Sequence, residues 1–320
     1  MTAPPLELHK DFEPEEDSIF DSPTKSGRVS AFLSRLTSTA KSKPGPNKYS
    51  NKRVFRILNK TLQPESTVSA EDAAGALASL LPLATGPDGS DELSSIMEVF
   101  LEIAWQIPYN HPSMIKLVRI TLCLLDTNRS TRIPTEQTPF NYNEGYAALQ
   151  SVLRDYAGLE LTNPYKEPYD ADAPFKSKHV RAWVSQHAYI ALLASFGKFE
   201  LCLFGLWVMR DAFEESTTTQ SADADAAAAA QWILQAGQAL FRFVQVPGLI
   251  SPGDFEVTDH GLLYEGEKGN SLQRWQFWKA GFVRLATSED SDGEARRLAD
   301  SAAALMGALE ANAPVLTTTT

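Results

Sequence analysis

Three polar side chains stand among the most apolar helical stretches of this 320-residue chain: His187, Arg210 and Glu214. His187 shares a helical face with Val180, Trp183 and Val184, while Arg210 and Glu214 lie one turn apart at the end of the next apolar run. A buried imidazole with a displaced pKa can act as a base, and an arginine at the edge of a core can hold an anion. Together the three would form the polar part of a ligand pocket between helices. Each also has a structural reading. A histidine on an apolar face is ordinarily satisfied by one hydrogen bond, and Arg210 with Glu214 would make an i,i+4 pair worth roughly a few tenths of a kcal/mol. His187, Arg210 and Glu214 are therefore the candidate ligand-binding residues, and no catalytic residue, cofactor site or metal site is assigned.

The remaining chemistry consists of near misses. Gly261 to Gly266, followed by Glu267 and Lys268, has phosphate-loop spacing as far as the second glycine, but Glu stands where a lysine would meet phosphate. His179 and His187 are about two turns apart, too far for the adjacent-turn pairing of a helical metal site. His9, His111 and His260 are scattered. Cys123 and Cys202 each sit in an apolar run, which fits buried thiols in a reducing compartment and not a disulfide. Trp275 and Trp278 flank a stripe continued by Phe282 and Leu285, so they read as core aromatics and not as a stacking platform beside Arg274.

The elements that must position these residues are helical from about Asn51 onward. Val54, Phe55, Leu58 and Leu62 share one face. Ser69 with Asp72 resembles a capping box, and Pro112 suits a first helical position. Further helices carry Leu93 to Ile107, Leu117 to Leu125, Tyr146 to Tyr156, Val180 to Ala191, Trp232 to Val244, Trp275 to Leu285 and Leu298 to Leu309. The stretch Ile190 to Met209 is long enough to cross a bilayer, but Lys198 and Glu200 at its centre would each cost about 2.5 to 3.5 kcal/mol there. Gly197 offers a turn, so the stretch reads as two helices. The second, Phe199 to Ala212, has almost no polar side and is expected at the centre of the fold, with Trp207 buried in it. No alternation of strands and helices suggests a parallel sheet. The expected architecture is all-α: one irregular helical-bundle domain over residues 51–312 with about eight to ten helices, preceded by a disordered arm over 1–50 and followed by a disordered tail over 313–320.

Charge marks the first boundary. Residues 1–23 hold seven acids against Lys10, residues 24–60 hold ten Lys or Arg and no acid, and the chain as a whole carries a net charge of −11. The acidic start does not resemble a signal peptide. Within the arm, Val29, Phe32, Leu33 and Leu36 form a short basic amphipathic stretch able to dock on a partner or on the acidic body. Lys41, Lys43, Lys48, Lys52 and Arg53 resemble a divided nuclear-import signal. These features point to a cytoplasmic location, with a nuclear one as the alternative. The acidic body weighs against nucleic acid as a partner.

Several segments taken in order, FRILNKTLQPESTVSAEDAAGAL, IPYNHPSMIKLVRI, WVSQHAYIALLASF with LWVMRDAFEE, AAQWILQAGQALF and SLQRWQFWKAGFVRLA with ALMGALE, resemble the fungal family called domain of unknown function 3632 over roughly residues 53–310. The resemblance implies a mostly helical protein of filamentous fungi with no established activity and no catalytic residues to carry over. Some relatives lie beside secondary-metabolism genes. The expectation is a non-enzymatic interaction or regulatory protein whose partners are other proteins. The alternatives are an accessory small-molecule-binding or tailoring protein of a secondary-metabolite pathway, and a nucleic-acid-associated factor using the basic arm.

Overall fold

In the computed structural model, which describes residues 3–8, 49–81, 91–127, 149, 152–153, 178–196, 201–215, 219–245, 259–266 and 269–312, five helices begin where a side chain accepts from one of their first amides. Ser50 caps α1 (Asn51–Leu62) by accepting from the Arg53 amide, and Ser69 caps α2 (Ala70–Ala78) by accepting from the Asp72 amide. After α3 (Asp91–Gln106), Pro112 takes the first position of α4 (Pro112–Leu125). The cap of α4 is unusual. It is His111, whose Nδ1 accepts from the Ser113 amide at 3.2 Å. Next come α5 (Lys178–Ser195), α6 (Cys202–Phe213), α7 (Thr219–Gln245), α8 (Leu272–Ala286, capped by Ser271) and α9 (Gly293–Ala311, capped by Asp292). Among the described residues there are nine helices and no strand, which is the all-α architecture the periodicity predicts.

The apolar stretch across Ile190 to Met209 is indeed two helices, α5 ending at Ser195 and α6 starting at Cys202. Among the described residues no helix is long and apolar enough to cross a membrane. Leu149, Val152 and Leu153 are helical and buried, at the spacing expected of a helix over Tyr146 to Tyr156; its other residues, the import-signal residues Lys41, Lys43 and Lys48, and the tail 313–320 lie outside the described residues.

The centre of the fold differs from the expectation. It is α7, not α6, that packs against α5, α6, α8 and α9. The reason is side-chain size. Ala226 to Ala230 of α7 are all buried and present nothing larger than a methyl group, so neighbouring helices approach closely on every side. Ranking helices by apolarity favours the bulky α6, yet Trp207 on α6 is only partly buried and meets Phe204 edge to face. The fully buried tryptophans are Trp232, Trp275 and Trp278. The α7 helix is kinked at Ala236 (φ −130°, ψ 17°), next to Gly237, where an added Cβ would stand 3.2 Å from Leu309 of α9. Helix α5 joins the two halves of the molecule, since it packs on α3 and α4 as well as on α7.

The arm expected to be disordered contains a segment that is held in place. Residues 3–8 form no helix or strand and pack on the body. The Gln63 side-chain amide pairs with both backbone groups of Leu6, His111 Nε2 meets Pro4 O at 3.0 Å, and Leu8 is buried in the core. Residues 9–48 lie outside the described residues.

Candidate functional site

Glu214 caps the C-terminal end of α6 and is completely buried. Its carboxylate accepts four hydrogen bonds. Oε1 takes Arg274 Nε at 2.6 Å and Trp278 Nε1 at 2.6 Å, while Oε2 takes an Arg274 terminal nitrogen at 2.9 Å and the Gly261 amide at 3.0 Å. Arg274, also fully buried, sends two further donors to Gly269 O at 2.8 Å and Asp259 O at 3.2 Å. Its guanidinium carbon lies 5.5 Å from the Trp278 ring centre and 6.0 Å from that of Tyr264. A carboxylate has about four lone-pair positions, and all are engaged within the chain. It works as a clamp that fastens residues 259–261 and Gly269 onto α6 and α8.

The clamp accounts for the glycines that resemble a phosphate loop. The Gly261 amide is committed to a carboxylate of the same chain, and an added Cβ there would stand 2.4 Å from Glu214 O. Gly269 has φ +86°, a conformation that a side chain disfavours. The anion that such a loop would bind is supplied internally.

The i,i+4 pair between Arg210 and Glu214 does not form. Glu214 turns inward to Arg274, and Arg210 meets the adjacent Asp211 at 3.3 Å in a partly exposed contact. Burial pushes the Asp211 carboxyl above its ordinary range, with Arg210 pulling the other way.

His187 sits in a third environment, facing α7. Its Nδ1 accepts the Trp232 indole N–H at 3.1 Å, so in the neutral ring the proton is on Nε2. Burial pushes its pKa down to about 3, which keeps the ring neutral. Trp183 meets it edge to face at 4.4 Å. Among the described residues, several buried polar atoms here have no hydrogen-bond partner: His187 Nε2, Trp183 Nε1, and both amide ends of Gln186 and of Gln231. The three sequence candidates thus have separate partners: Trp232 for His187, Asp211 for Arg210, and the clamp for Glu214.

Sequence reasoning missed Arg274 as the partner of Glu214, although it did notice Arg274 beside two tryptophans. It also missed Glu102 on α3, whose carboxyl is pushed up to about 7 by burial and by Glu98 one turn earlier. Among the described residues no group of three or more His, Cys, Asp or Glu side chains is placed to hold a metal ion. Neither Cys123 nor Cys202 is in a disulfide.

Beside the clamp lies an open groove of about 420 Å³, lined by apolar residues such as Phe213 of α6, Leu263 of the clamped loop and Leu285 of α8, and by the polar Glu215, Arg284 and Ser288. Leu262 and Leu263 are 86% and 55% exposed, and Val283 of α8 is 51% exposed. The backbone beneath these leucines is fixed, because the Leu263 amide donates to Glu214 O at 2.8 Å.

The chain belongs to a family described as protein of unknown function (DUF3632), whose model matches residues 97–282, more than half of the sequence and a narrower span than the resemblance noted above. No curated protein and no solved structure matches the chain.

Proposed function

We propose that this chain is a non-enzymatic interaction protein whose contact face is the groove beside the Glu214 clamp. The observation that carries this reading is the rigid presentation of Leu262 and Leu263. Their backbone is anchored to a fully buried ion pair while their side chains stand in solvent beside a groove of mixed polar and apolar lining. Contiguous exposed apolar surface on a fixed scaffold is a mark of contact with another macromolecule. Glu214, next to the groove, is fully engaged within the chain, which fits a binding surface better than a reaction centre. A cytoplasmic or nuclear location belongs to the same reading.

The test compares tagged wild-type chain with a Leu262→Asp/Leu263→Asp variant as baits in an extract of the source organism, with captured proteins identified by mass spectrometry. The expected result is a set of proteins retained by the wild type and lost by the variant at unchanged thermal stability. Identical captured sets would overturn the groove as the contact face.

A second reading, an accessory small-molecule-binding role in a fungal secondary-metabolite pathway, draws support from one observation. The unpartnered atoms of Gln186, His187, Trp183 and Gln231 offer neutral donors and acceptors, suited to an uncharged oxygen-bearing molecule. Organic extraction of the purified chain followed by mass spectrometry tests it, and absence of any stoichiometric small molecule counts against it.

A further inference from the structure

The segment 3–8 is held by contacts that read a peptide backbone. Gln63, just past the end of α1, uses its amide oxygen to accept from Leu6 N at 3.1 Å and its amide nitrogen to donate to Leu6 O at 3.2 Å. The same nitrogen also donates to Asn59 Oδ1 at 2.9 Å, which fixes the orientation of the amide. His111 is fixed as well. Its Nδ1 accepts from the Ser113 amide, so the neutral ring carries its proton on Nε2 and donates it to Pro4 O at 3.0 Å. Ser113 Oγ in turn donates to Leu62 O at 2.5 Å, tying the end of α1 to the start of α4. Both reading side chains are thus oriented by bonds that do not involve the segment.

The segment has the character of a ligand. Leu6 and Leu8 face the body while Glu7 between them is exposed, the two-residue period of an extended chain laid on a surface. Pro4 and Pro5 have no amide hydrogen to satisfy, and their fixed φ favours the extended form before it binds. Leu8 reaches the hydrophobic core.

We infer that the cleft between the end of α1 and the start of α4 is a recognition site for an extended peptide of the pattern Pro-Pro-Leu-x-Leu, occupied in cis by residues 3–8 and open to the same pattern on another protein. The contact joins residues 57 positions apart in the sequence. A tethered segment competes at an effective concentration on the order of millimolar, so one that docks in cis binds as a free peptide with a Kd below about 1 mM. The site is separate from the groove beside the Glu214 clamp and does not rest on the reading proposed for that groove.

The test uses the full chain. A fluorescein-labelled peptide APPLEL is titrated, with fluorescence anisotropy as readout, into wild type, into a Leu6→Asp/Leu8→Asp variant that vacates the cleft, and into the same variant carrying Gln63→Ala. Circular dichroism melting checks each fold. The vacated variant should bind at least about tenfold more tightly than wild type, because the cis competitor is gone. Adding Gln63→Ala should weaken that binding about tenfold through loss of two hydrogen bonds. A peptide with aspartate for both leucines should not bind. A wild-type dimer that the peptide dissociates would overturn the occupancy in cis, because the segment would then fill the site of a second copy. No saturable binding to the folded vacated variant up to about 1 mM, or equal binding with and without Gln63, would overturn the proposal. The Leu262→Asp/Leu263→Asp variant should bind the peptide as wild type does, which keeps failure here distinct from failure of the groove reading.

Discussion

Two buried polar centres lie in the helical body, and they are solved in opposite ways. Around Glu214 every charge and nearly every donor has a partner: a carboxylate with four hydrogen bonds, a guanidinium between two aromatic rings, and two loop carbonyls that take the remaining donors. Around His187 one hydrogen bond joins two helices, and six polar atoms nearby have none. The difference follows from what surrounds each group. The clamp borrows irregular backbone at Asp259, Gly261 and Gly269, which can turn amides and carbonyls toward a charge. The His187 centre lies between regular helices whose backbone groups bond internally and have nothing to lend. Loops, in this protein, are what make a buried charge tolerable.

The largest expected effect comes from breaking the satisfied centre. Arg274→Met leaves the Glu214 carboxylate buried and uncompensated, and should destabilise the fold by about 3 to 5 kcal/mol in urea unfolding. Removing both charges with Glu214→Leu/Arg274→Met should cost less than Arg274→Met alone, since no unpaired charge is left behind. Equal costs would show that the pair is less tightly coupled than its geometry indicates.

The unsatisfied centre should respond in both directions. Trp232→Phe removes the donor to His187 Nδ1 and should cost about 1 to 3 kcal/mol. Gln186→Leu replaces an unpartnered amide by an apolar group of similar size and should stabilise the fold by up to about 1 to 3 kcal/mol. A destabilising Gln186→Leu would mean that the amide has a partner after all, and the contrast between the centres would narrow.

The pH dependence sharpens the comparison further. The His187 pKa is depressed from 6.5 to about 3 in the folded chain, so its contribution is fully present above pH 6.5 and is lost as pH falls toward 3. The Glu102 pKa is raised from 4.5 to about 7, so its contribution is present below pH 4.5 and is lost as pH rises through 7. Each group adds a slope of at most about 1.4 kcal/mol per pH unit within its window, with opposite signs. His187→Leu should flatten the acid limb of the stability profile, and Glu102→Gln should flatten the decline between pH 4.5 and 7. A profile unchanged by either substitution would show that the group titrates as it does in the unfolded chain.

The smallest effects concern exposed caps and the partly buried Trp207. Ser69→Ala should cost about 1 kcal/mol in thermal or urea unfolding, through loss of one N-cap bond. Trp207→Ala should cost less than Trp278→Ala, for which about 3 to 5 kcal/mol is expected of a fully buried tryptophan. The reverse order would restore α6 to the centre of the fold.

What was legible in the sequence was local. Ser69 before Asp72, Pro112 at a helix start and the charges at Lys198 and Glu200 act over a few residues, and the expected α2 cap, the expected α4 start and the break between α5 and α6 are all found. Arg274 was not legible as the partner of Glu214 because the two are 60 residues apart and the nearer Arg210 offered an equally good helical pair. The central place of α7 was not legible either, because alanine contributes little to a hydrophobic pattern while governing how closely helices approach. The docking of residues 3–8 depends on Gln63 and His111, two residues whose local context gives no sign of a peptide between them.

The clamp also bears on the timing of folding. Glu214 meets Gly261 and Arg274 across 47 and 60 residues of intervening chain, a closure whose entropy cost favours forming its bonds after the helices on either side have docked. Contacts made late are absent from the transition state, and their loss speeds unfolding while leaving the folding rate nearly unchanged. The buried pair is thus expected to act as a latch on the exit path: Arg274→Met should raise the unfolding rate in urea-jump kinetics and leave the refolding rate nearly unchanged, and an equal fall in the refolding rate would place the pair in the transition state.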